Sequence, residues 1–97
     1  MPTYIILAGW TQEGIADVKK SPPRLDAAKR AFQTAGAELK EFYMTMGRYD
    51  MIVVADAPDD EAVARVALTI GSAGAVRTET LRAFPEAQYR DIVASLP

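Results

Sequence analysis

Ninety-seven residues, 49% of them apolar and 25% charged, describe a single globular domain over 1–97, near the usual size for one core. A net charge of -2 excludes the electrostatic footprint of a DNA- or RNA-binding protein, which needs a clustered excess of Lys and Arg. The absence of both His and Cys removes ordinary zinc and copper sites, the usual haem ligands, disulfides, the commonest general base and the thiolate nucleophile.

Thr3–Trp10, TYIILAGW, is apolar at almost every position and predicts a strand, with Ile5 and Leu7 on one face and Tyr4, Ile6, Ala8 and Trp10 on the other. Thr11 suits the cap of a short helical stretch through Gln12–Lys19, with Ile15 and Val18 on one side and Gly14 weakening it. Ser21-Pro22-Pro23 predicts a helix start with Ser21 as cap. Leu25, Ala28, Phe32 and Ala35 recur at helical spacing, and Gly36 is the stop. Glu38–Met46 reads as a second, mixed strand. Gly47-Arg48 then forms a two-residue hairpin turn in which Gly47 needs a positive φ.

Asp50–Ala55 is the third strand, apolar on both faces. Pro58 to Glu61 opens a second helix with acidic residues at its favourable end, and its inward stripe is Val63, Val66, Ala67 and Ile70. Val76–Phe84 is a fourth strand interrupted by charges, and Pro85 starts a last helix expected to bury Tyr89, Ile92, Val93 and Leu96. The order β-α-β-β-α-β with an extra C-terminal helix is the α+β, ferredoxin-like pattern. That pattern places strands one and three centrally and the charge-bearing strands two and four at the edges.

An antiparallel sheet with one wet face should alternate apolar and polar residues, and strands one and three do not. Each large apolar side chain left wet forgoes about 1.5–3 kcal/mol, and four or five of them make a patch larger than monomers usually expose. The expected cover is a second copy of the chain around a two-fold axis; the competing cover is the C-terminal helix.

Several separated blocks resemble the GYD-domain family, small and mostly bacterial proteins named for the motif represented here by Gly47, Tyr49 and Asp50. The matching stretches are Thr11–Gly14, Lys19–Arg24, FYMTMGRYD from Phe42, DAPDDE from Asp56, and Val76–Phe84. Trp10 stands where a less bulky, polar residue is expected. The resemblance implies a ferredoxin-like fold of the dimeric α/β-barrel kind, and no activity.

Tyr49 and Asp50 carry two readings. In one, Gly47 makes the turn, Tyr49 covers an edge and Asp50 accepts hydrogen bonds from loop backbone. In the other they are the catalytic candidates, with Tyr49 as acid or donor and Asp50 as base. Arg77, with Arg82, Lys19, Lys20 and Arg24, offers carboxylate or phosphate binding, against the plainer reading of edge-strand protection. Trp10, with Tyr43 and Tyr4, would line an apolar pocket between sheet and helices, against simple packing. Pro2 would be a tautomerase-type base only with Met1 removed, and nothing else in the chain resembles a tautomerase.

The expectation is thus a cytoplasmic homodimer or higher oligomer that binds a small molecule or serves in assembly, with no cofactor, metal, nucleic-acid or membrane partner. The alternative is a cofactor-independent monooxygenase acting on a small aromatic substrate, by analogy of fold. An enclosed cavity of about 300 Å³ or more, reached by Tyr43, Tyr49, Asp50 or Trp10, would favour the enzyme, and a filled core with those side chains at an interface would rule it out.

Overall fold

The computed structural model describes all 97 residues. Strand β1 (Thr3–Trp10) is followed by the short helix α1 (Gln12–Ala16), a 3₁₀ turn (Val18–Lys20) and helix α2 (Ser21–Thr34). Strands β2 (Glu38–Met44) and β3 (Met51–Asp56), helix α3 (Asp60–Ser72), strand β4 (Val76–Ala83) and helix α4 (Glu86–Ala94) complete the chain. The sheet is antiparallel in the order β2-β3-β1-β4, which puts the two continuously apolar strands in the centre. No helix is long and apolar enough to cross a membrane.

Pairing of Ile6 with Val53 and of Ala8 with Met51 sets the inward face of the two central strands. Tyr4, Ile6, Ala8, Met51, Val53 and Ala55 are buried there beneath α2 and α3, which contribute Phe32, Ala62, Val63 and Val66. Phe32 and Val66 are the largest side chains buried completely. α3 starts on Asp59, whose carboxylate accepts from the Ala62 N–H at 2.9 Å. α2 starts differently from expectation. Ser21 is already helical and makes no cap bond, because the 3₁₀ turn runs straight into the helix.

α1 is shorter than its sequence suggested, and Ile15 and Val18 stay exposed. Its purpose is local. The Thr11 hydroxyl accepts from the Gly14 N–H at 3.0 Å and donates to the Gly74 carbonyl at 2.6 Å, while the Thr11 N–H reaches the Ala75 carbonyl at 3.0 Å. Gly14 is buried against that same segment, and a Cβ there would fall 1.9 Å from the Ala75 oxygen. The glycine that weakens the helix is what lets it dock.

Met44 lies opposite Met51 and Gly47 takes the expected positive φ, +118°, but no backbone hydrogen bond joins Met46 to Tyr49, so the connection is a wider loop than the expected two-residue turn. Ladder pairing ends earlier than expected, at Met44, although Thr45 N–H still donates to the Asp50 carbonyl at 2.8 Å. A bulge at Lys40 separates Leu39 from Glu41 in the ladder. It turns Leu39 and Phe42, three positions apart, toward the same core.

Only the inward face of the sheet carries helices. On the other face Ile5 lies between Val54 and Leu81, and Leu7 lies between Ile52 and Glu79. Ile5, Leu7, Ile52 and Val54 are half-buried, and Leu81 is 42% exposed. The expectation that α4 buries Tyr89, Ile92, Val93 and Leu96 is overturned, for they are 45–64% exposed and α4 has no buried residue. α4 therefore covers neither face. The molecule is elongated, 52 × 30 × 17 Å with a radius of gyration of 14.6 Å, against about 13 Å for a compact chain of 100 residues.

Candidate functional site

A cavity of about 310 Å³ lies between α2, α3 and the sheet. Ile6, Ala8, Met51, Val53, Phe32 and Ala75 line it from buried positions and form its floor. Ala27, Thr69 and Ala73 line it from exposed positions, so its mouth opens between the first half of α2 and the end of α3. Ser21, Arg24 and Trp10 are half-buried in its wall.

The cavity exists because α2 presents small side chains where a helix over a sheet ordinarily places large ones. Ala28 and Ala31 line it within and Ala27 at its mouth, and the large apolar side chains that this helix adds are Leu25 and Phe32. An alanine-rich inward face was visible in LDAAKRAF and would have signalled either close packing or a void. It was the residue set that sequence reasoning missed.

Of the sequence candidates, Trp10 and Arg24 come together here. The remaining candidates lie elsewhere. Tyr43 sits on the helix-free face beside Ile52, and its hydroxyl donates to Glu41 at 2.6 Å, which raises its pKa. Tyr4 faces the helices but donates to Asp60 at 2.5 Å away from the cavity; that bond and its burial raise its pKa. Lys20 is exposed at the end of the 3₁₀ turn and does not line the cavity.

Tyr49 and Asp50 are adjacent in sequence and separate in use. The Asp50 carboxylate accepts from the Trp10 N–H at 2.9 Å, and the Asp50 N–H donates to the Ala8 carbonyl at 2.9 Å, tying the hairpin to the end of β1. The Tyr49 hydroxyl donates to Glu79 at 3.0 Å across the helix-free face. Arg77 is exposed on that face, opposite Gly9, and shares a shallow depression of about 330 Å³ with Arg48, Tyr49 and Glu79. Arg82 is stacked 4.4 Å from the Phe84 ring centre. The basic residues considered together in the sequence are thus dispersed.

Chemically the cavity is a binding wall. The polar residues in its lining are Arg24, Ser21, Thr69 and Thr78; no carboxylate, Tyr or Lys lines it. Nor do three acidic side chains gather anywhere in the molecule as they would around a metal ion.

Known proteins resemble the chain along its length. The GYD domain matches residues 4–93. A protein of Thermus thermophilus, named the glutamine synthetase and cystathionine beta-lyase binding protein, is 35% identical over 97 residues, or 99% of each chain. The crystal structure of TTHA0845, also from Thermus thermophilus, is similar with a TM-score of 0.56 at 28% identity, covering 87% of this chain and 94% of that one. MtbAldR (Rv2779c) is alike in fold alone, with a TM-score of 0.68 at 15% identity over 88% of this chain and 52% of its own. With the domain matched from the first strand into the last helix, this chain belongs to the GYD-domain family.

Proposed function

We propose that this protein is a self-associating binding protein, which pairs with a second copy and docks on other proteins without chemistry of its own. The observation that carries this reading is the apolar helix-free face of the sheet, lined by Ile5, Leu7, Ile52, Val54 and Leu81, together with an α4 that covers none of it. Four strands at about 4.8 Å spacing and some seven residues at about 3.3 Å give a footprint of roughly 450 Å². That is short of the ~800 Å² per partner in a standard interface. Tyr89, Ile92, Val93 and Leu96 on the projecting α4 are apolar and exposed, and clasping the partner copy with them supplies the remainder. Such face-to-face pairing is the dimeric α/β barrel. A role toward other proteins is supported by the Thermus thermophilus relative, whose name is that of a binding protein for two enzymes.

Sedimentation at about 10 μM, a concentration at which a standard interface is saturated, tests the assembly. The expected species is a dimer or larger, and removal of Pro85–Pro97 shifts it toward monomer without unfolding the sheet. A clean monomer of the full chain overturns the reading.

A second reading is favoured by one observation. The cavity of about 310 Å³ is reached by Trp10, as a monooxygenase-like enzyme for a small aromatic substrate would require. Its wall lacks a carboxylate to take up the substrate proton and a phenol to donate one, which weighs toward binding. Oxygen consumption with a hydroquinone, abolished by filling the cavity, would reverse that preference.

A further inference from the structure

The cavity has an uneven lining: apolar on its floor, with Arg24 its single cationic residue. At about 310 Å³ it is roughly twice the size of an apolar cavity known to hold benzene, ~150 Å³. Arg24 lines it, half-buried, and none of the ion pairs in the molecule includes it. Its protein hydrogen bond goes to the Gly14 carbonyl at 3.5 Å, the outer limit for such a contact.

Arg24 also stands in the first turn of α2, at the positive end of the helix dipole, and no acidic residue in that turn offsets it. A cation there works against the helix. Its position makes sense when a negative charge arrives from the cavity side.

The character of that charge can be narrowed. Phosphate sites at helix starts rely on several backbone N–H donors. Here Pro22 and Pro23 remove two of them from the first turn. What remains is one planar guanidinium, which matches a carboxylate in a two-pronged pair, with the Ser21 hydroxyl in the same wall.

We propose that the cavity is a binding site for a small monocarboxylic acid with an apolar body, its carboxylate on Arg24 and its body over the floor beside Trp10. A body of roughly ten non-hydrogen atoms, an arylalkanoate or a medium-chain acid, fits the volume. This inference rests on the cavity and Arg24 and is independent of the assembly proposed above.

Trp10 is the chain's single tryptophan, so its emission reports on this wall without labelling. The probes are 4-phenylbutyrate and the uncharged 4-phenylbutan-1-ol. Expected is a saturable change in Trp10 emission with 4-phenylbutyrate, about tenfold tighter than with the alcohol. Arg24→Gln, with an unchanged circular dichroism spectrum, should erase that difference while leaving alcohol binding intact. Ala28→Phe should fill the cavity and abolish both; if that variant misfolds, the Arg24→Gln comparison still decides. The inference is overturned by the absence of saturable calorimetric binding at millimolar probe, by equal affinity for the two probes, or by an Arg24→Gln protein that keeps the preference. A dimer that binds neither probe refutes the site and leaves the assembly standing.

Discussion

Val53 and Val54 are neighbours of identical chemistry whose replacement by Asp should have opposite consequences. Val53 points into the core and is 9% exposed, whereas Val54 lies half-buried on the helix-free face, paired with Ile5 and Glu41. Val53→Asp loses about 1.5–3 kcal/mol of apolar burial and adds a charge-burial penalty of several kcal/mol. A chain of this size has only about 5–15 kcal/mol to lose. The variant should be unfolded or melt at least about 20 °C lower, at 4–8 °C per kcal/mol. Val54→Asp leaves its carboxylate within reach of water in the monomer, so folding should lose about 1 kcal/mol or less, including repulsion from Glu41. At a two-fold interface the same change buries two like charges, enough to weaken association by about 100-fold or more. Thermal melts by circular dichroism and sedimentation velocity on both variants make the comparison. A stable Val53→Asp protein refutes the placement of the core, and a dimeric Val54→Asp protein refutes the placement of the interface.

Other outcomes follow from single contacts. Gly14→Ala should be stabilising by about 1 kcal/mol on helix propensity alone, yet the collision with the Ala75 oxygen predicts a loss of about 2–3 kcal/mol, read as a fall in Tm. Asp50→Ala should lower stability by about 1–2 kcal/mol in urea denaturation, because it orphans the Trp10 N–H; unchanged stability would free Asp50 for another role. The Tyr4 pKa is raised in the folded state, first by its hydrogen bond to Asp60 and then by burial. Its contribution is therefore complete below the unfolded value of about 10 and is lost as pH climbs through the higher folded value. Tyr4→Phe should flatten the decline of Tm above about pH 10, and an identical alkaline slope in both proteins would contradict this coupling.

Much of the architecture was legible because the central strands advertise themselves. Thr3–Trp10 and Met51–Asp56 are apolar on both sides, and a sheet covered by helices on one face alone has only its central positions for such strands. Two features were hidden for physical reasons. The bulge at Lys40 inverts the face of everything before it, so a strict period of two misreads Leu39. α4 carries apolar residues at helical spacing, and spacing predicts that a face will be buried but does not say against what. The candidate site was half-legible. Trp10 and Arg24 drew notice as large or charged groups, whereas the alanines that make room between them did not. Asp50 drew notice through its motif, and its carboxylate turns out to fasten a strand end.

The bulge at Lys40 also bears on the open edge of the sheet at β2. β2 is an outer strand of the sheet, and a regular outer strand is a template on which further strands add without limit. With an extra residue at Lys40 and charges at Glu38, Lys40 and Glu41, its hydrogen-bonding rim is out of step with an incoming strand over half its length. Growth by strand addition produces open-ended fibres, while pairing across a face closes after one partner. An irregularity of one residue thus blunts the β2 edge against open-ended strand addition.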